Sequence, residues 1–131
     1  MDTNVFVYLY DKEEAAKQER ARRLMLDDTV DLVISTQVLS EFYVTVTRKI
    51  AAPLSPEQAT TAIEALAELE VVPITRNLVL DATSAGQQHR LSYWDSLIIE
   101  AASRAGADRL LTEDLATGST LRGVTIVNPF A

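Results

Sequence analysis

The sequence predicts an α/β fold in which a parallel sheet is covered by helices on both faces. Three observations carry this. Segments with helical periodicity alternate along the chain with short, apolar, β-branched runs, and that alternation implies parallel strands joined by helices. The 131 residues suit one compact domain, residues 1–131, and no repeat, low-complexity stretch or linker divides them. With 47% apolar and 24% charged residues, the chain can bury enough surface to offset the entropy of ordering.

The elements follow in order. Residues 13–27, rich in Ala, Glu, Lys and Arg, read as an exposed helix, and Asp31–Ser35 as a buried strand. Ser35 or Thr36 can cap the next helix, whose stripe of Val38, Leu39, Phe42, Val46 and Ile50 runs to a break at Pro53; Glu41 lies off that stripe. Ser55-Pro56-Glu57-Gln58 supplies a capping Ser, Pro at the first helical position and a side chain to complete the box, opening a helix to about Leu69. Val71-Val72-Pro73-Ile74 reads as an edge strand, because Pro73 cannot donate to a ladder. Another helix extends to about His89. Ser92 then opens a strongly apolar helix through Leu97, Ile98, Ile99, Ala101 and Ala102, stopped by Gly106. Arg109–Thr112 and Val124–Val127 are the last two strand candidates. Near the start, the periodicity of Val5–Leu9 by itself admits a strand.

Composition excludes several chemistries. With no cysteine there are no disulfides, thiolate zinc sites or cysteine nucleophiles, and a single histidine, His89, argues against a histidine-rich metal site or a Ser-His-Asp triad. No apolar run approaches the roughly 20 residues that span a bilayer, so the chain reads as soluble and cytoplasmic. The net charge of −7 argues against broad phosphate neutralisation. A polyanionic substrate would need divalent cations or small basic clusters, for which Arg20, Arg22 and Arg23, and then Arg48 and Lys49, are candidates.

In parallel α/β sheets, ligands bind beyond the carboxyl ends of the strands. Three acids comply: Glu41 lies two turns into the helix after Ile34, Asp114 just past Leu111, and Asp95 in the first turn of the apolar helix. Each also fits an ordinary role when taken alone. Asp95 completes a Ser-x-x-Asp cap, Asp114 suits a turn, Glu41 a solvated helix face, and Asp2 a helix cap at the terminus. The functional case is therefore their joint arrangement.

Taken together, Asp2-Thr3-Asn4-Val5, Ser40-Glu41-Phe42, Tyr93-Trp94-Asp95-Ser96 and Leu111-Thr112-Glu113-Asp114-Leu115 resemble, in order and separation, the PIN-domain nucleases. Among these, the chain is most similar to the toxins of VapBC toxin–antitoxin pairs, and Val127-Asn128-Pro129-Phe130 looks like their last strand and tail. The resemblance implies an α/β/α sandwich with a central parallel sheet. It also implies a dimer that cuts single-stranded or loop RNA with Mg²⁺ or Mn²⁺, held in check by a small antitoxin. It matches Asp2, Glu41, Asp95 and Asp114 to the family's acidic quartet, Thr112 to a hydroxyl beside the site and Asn4 to a polar residue that steadies the first acid; Glu113 falls outside the quartet. Asp2 and Asp95 would touch metal directly, while Glu41 and Asp114 would hold waters, a second ion or the attacking water. Mg²⁺ suits such a site because it takes carboxylate oxygens and retains several waters.

One departure from the family pattern stands out. Members have an apolar strand in the middle of the sheet before the Asp-Thr-Asn, whereas only Met1 precedes Asp2 here. The expectation is a truncated or mis-set start with the central strand missing, and Val5–Leu9 beginning a helix. Two other readings remain. One is a non-catalytic PIN-like module binding a protein or RNA through apolar patches around Tyr43, Tyr93 and Trp94. The other is a different phosphoryl hydrolase, against which stands the lack of a Gly-rich phosphate loop.

Overall fold

The computed structural model describes residues 1–130; Ala131 lies outside them. Six helices and five strands follow in the order α1 (Thr3–Val7), α2 (Ala15–Leu26), β1 (Val33–Ser35), α3 (Thr36–Arg48), α4 (Pro56–Leu66), β2 (Glu70–Val72), α5 (Arg76–His89), α6 (Tyr93–Arg104), β3 (Arg109–Leu111), β4 (Thr120–Leu121) and β5 (Val124–Val127).

Local side-chain chemistry starts most of the helices. Asp2, Ser35, Thr75 and Ser92 each accept a backbone N–H of the first turn, and Ser55 with Gln58 forms a complete capping box. Val5–Val7 is helical, so capping by Asp2 prevails over the strand-like periodicity of that run. Gly106, at φ +72°, stands just past α6 in the left-handed conformation that glycine adopts without a Cβ penalty.

The strands make two small sheets, each with a parallel pair, and the break falls where the central strand is expected to be missing. β1 and β2 pair in parallel; β2 ends at Val72, so Pro73 and Ile74 of the expected strand lie just past it. Separately, β3 pairs in parallel with β5, and β4 adds to β5 antiparallel. The antiparallel strand was not expected. It arises from a tight hairpin whose two central residues, Arg122 (φ 52°) and Gly123 (φ 77°), both take positive φ, the pattern of a type I′ turn. Among the described residues no strand lies between β1 and β3. Instead Met1 and Asp2 connect them: the Met1 amine donates to Val33 O at 2.9 Å, and the Asp2 amide to Leu111 O at 3.0 Å.

Helices cover both faces of the β1–β2 pair. Ile34 and Val71 pack with Phe6 of α1, Phe42 and Val46 of α3 and Leu66 of α4, whereas Val72 and Ile74 pack with Leu78 of α5 and Leu97 of α6. Leu110, Val124 and Ile126 of the second sheet pack on Ile98 and Ile99 of α6. Phe6 and Phe42 are wholly buried, and each contributes about 1.5–3 kcal/mol through burial of its ring. α6 thus touches both sheets, and its first turn is carried to the same end of the molecule as the carboxyl ends of β1 and β3. No helix is long and apolar enough to cross a membrane among the described residues.

Candidate active site

The site begins at Asp2, which is only 8% exposed. Its Oδ1 accepts the Thr3 amide and its Oδ2 the Thr112 hydroxyl, each at 2.7 Å. The Thr112 hydroxyl in turn accepts the Asp114 amide at 3.1 Å. One buried threonine at the end of β3 therefore fixes the first acid and the turn bearing the fourth. Thr3 makes a second connection, since its hydroxyl donates to Glu41 Oε2 at 3.1 Å. Gln37, one turn earlier on α3, donates to Glu41 Oε1 at 2.7 Å. Glu41 is half-buried, off the apolar stripe of its helix.

Asp95 stands in the first turn of α6, its amide capped by the Ser92 hydroxyl at 3.1 Å. The cap uses the backbone N–H and not the carboxylate, so the capping role leaves the Asp95 side chain available. Asp114 senses the other acids. Its carboxyl is raised above the ordinary aspartate value, first by burial, then by the negative charge of Asp2 and of Glu113, with Asp95 adding to it.

No lysine or arginine forms an ion pair with Asp2, Glu41, Asp95 or Asp114 among the described residues. Nor do any three acidic or imidazole side chains there converge closely enough to enclose an ion directly. Oxygen donors facing one another without a basic partner fit a hard divalent cation that keeps part of its water shell and takes few direct protein ligands.

Other sequence-chosen residues are placed as follows. The Asn4 side chain forms no hydrogen bond with Asp2 among the described residues, and Asp2 is steadied by Thr3 and Thr112 instead. Glu113 turns away from the quartet to Lys17, whose Nζ lies 3.0 Å from it, and to the Tyr8 hydroxyl, which donates to it. Lys17 also lies over the Tyr8 and Phe130 rings, at 4.9 and 5.8 Å from their centroids. This knot ties α2 and the tail to the Asp114 turn. The basic cluster on α2 is spent locally: Arg22 and Arg23 pair with Glu19, and Arg20 donates to Pro129 O. Lys49, by contrast, lines a groove that begins at Glu41. Thr3 and Gln37 were missed as site residues. Their signals were modest: Thr3 adjoins Asp2, and Gln37 lies four residues before Glu41 on one helix face.

An α/β domain with acidic side chains near the carboxyl ends of its strands has the layout in which such folds bind their ligands. The chain belongs to the PIN domain family, whose profile matches residues 1–116. PIN domains are generally metal-dependent nucleases. The match stops short of the Val127–Phe130 tail. No individual curated protein matches the chain.

Proposed function

We propose that this chain, acting as one domain over residues 1–131, is an endoribonuclease that uses Mg²⁺ or Mn²⁺ and the quartet Asp2, Glu41, Asp95 and Asp114. The observation that carries the reading is Asp2: a carboxylate 8% exposed, with no basic side chain paired to it, whose charge reaches Asp114. In a PIN domain, acids placed to feel one another, with the Met1 amine beside Asp2 but no lysine or arginine paired to them, favour a cation. Asp2 and Asp95 would hold it, with Glu41 and Asp114 positioned for its waters or a second ion. When bound, the ion makes a water more acidic and stabilises charge gathering on the phosphoryl group.

The chain's own residues supply the preorganisation. Thr112 locks the Asp2 carboxylate and tethers the Asp114 amide, which keeps the first and fourth acids at one spacing. Gln37 and Thr3 fix the Glu41 carboxylate while leaving lone pairs to accept from the attacking water. We further propose that the enzyme is a dimeric toxin of a type II toxin–antitoxin pair. The ordered motifs support this, and a net charge of −7 suits a basic inhibitory segment from a small antitoxin.

Cleavage of a structured RNA tests the activity. Cuts in unpaired regions are expected with Mg²⁺ or Mn²⁺ and none with EDTA. Asp95→Asn is expected to lower the rate by more than the ~10–100-fold typical of losing an outer partner of a metal ligand. RNA binding with no metal-dependent cutting would point instead to a binding module. Relief of cutting by the product of an adjacent small gene would support the toxin assignment.

A further inference from the structure

We infer that the groove leading from Glu41 between α3 and the start of α6 holds the unpaired nucleotide beside the cut bond, with Trp94 stacked on its base. The location of the cut rests on the nuclease reading; the binding itself does not. The groove is open to solvent and offers about 770 Å³ of space. Its α3 wall is one helix face, because Gln37, Glu41, Thr45 and Lys49 recur every four residues. At 1.5 Å per residue this face extends about 18 Å, long enough for a nucleotide and the phosphate beyond it.

Tyr93 and Trp94 form the facing wall. Trp94 is 61% exposed, the only tryptophan of the chain, and is braced edge-on by Tyr93 with ring centroids 5.1 Å apart. A braced but open indole is a ready stacking surface for a base. Gln37, 8% exposed, lines the groove and donates through its Nε2 to Glu41. Lys49, exposed at the far end, forms no ion pair among the described residues and can meet a phosphate. Stacking surface and cation line the same groove as an acid of the site. That combination selects a single strand, because a duplex keeps its base faces covered.

The test titrates a short single-stranded RNA into the Asp114→Asn protein and follows Trp94 fluorescence. Saturable quenching is expected from the single strand and not from the same sequence in a duplex. In the otherwise wild-type chain, Trp94→Ala is expected to raise KM about tenfold with little change in kcat, and Trp94→Phe to restore most of the affinity. Mn²⁺ binding is expected to stay unchanged in both variants. Cutting by the wild-type chain without quenching would overturn the groove assignment and leave the nuclease reading intact. Quenching, where the wild-type chain cuts nothing with Mg²⁺ or Mn²⁺, would support the groove and overturn the nuclease reading. A Trp94→Ala chain that keeps its RNA affinity but changes oligomeric state in sedimentation would also overturn the proposal, making this face an interface between copies.

Discussion

Asp114 holds its proton more tightly than an ordinary aspartate, through burial first and then the charges of Asp2, Glu113 and Asp95. Its contribution to stability therefore has a definite sign. Just above the ordinary value of 3.8 the folded chain binds more protons at this position than the unfolded chain, so stability falls as pH rises through that region. In the absence of divalent ions, Asp114→Asn is expected to flatten this decline and give a Tm at neutral pH at least equal to that of the wild type. Thermal melts in EDTA across pH 3.5 to about 7 check this; superimposable profiles would show that the acids do not crowd. At this scale Asp2, Glu41, Asp95 and Asp114 can be picked from the sequence as candidates because each sits in a short motif. Thr3 and Gln37 cannot. Their role is set by which carboxylate oxygen they reach in space, and Thr3 bonds to Glu41 across 38 positions of sequence.

Helix α5 meets α6 where Gly86 faces Ser96. A Cβ at Gly86 would stand 2.9 Å from Ser96 Oγ and 3.3 Å from the Leu91 carbonyl oxygen. Alanine normally gains up to about 1 kcal/mol over glycine inside a helix, whereas overpacking a tight contact costs about 1–3 kcal/mol. The contact is expected to prevail, so Gly86→Ala should lower the Tm. Adding Ser96→Ala should recover most of the loss, because it removes both the closest atom and a buried hydroxyl that has no partner among the described residues. A Gly86→Ala chain that melts higher than the wild type would contradict the close approach. Element starts were readable because caps are local: Ser55 with Gln58, and Ser92, act within one turn of themselves. The β4–β5 hairpin was not readable. Its turn uses Arg122 where Asn or Asp is usual, and Arg122 is held there partly by a 2.8 Å ion pair to Glu100, itself 2% exposed on α6. That support comes from an element distant in sequence.

The molecule as a whole joins two small sheets through Met1 and Asp2, with α6 packed on both. Alternation of strands and helices is enough to predict the α/β class, and the lone Met1 before Asp2 the gap in the sheet, but not the antiparallel β4, since strand pairing is decided by non-local contacts that periodicity does not encode. The division matters to function because it puts Asp2 at the junction. The first acid is held by Leu111 O through its amide and by Thr112 through its carboxylate, while Glu41 reaches it through Thr3 from the other sheet's following helix. The central claim is that these dispersed acids act as one cation site. The most direct measurement is a calorimetric titration of Mn²⁺ into the wild-type chain and into Asp2→Asn, Asp95→Asn and Asp114→Asn variants whose folding has been verified. Saturable binding by the wild type is expected, weakened by at least about tenfold in each variant. Wild-type affinity retained in all three, or no binding by the folded wild-type chain, would contradict it.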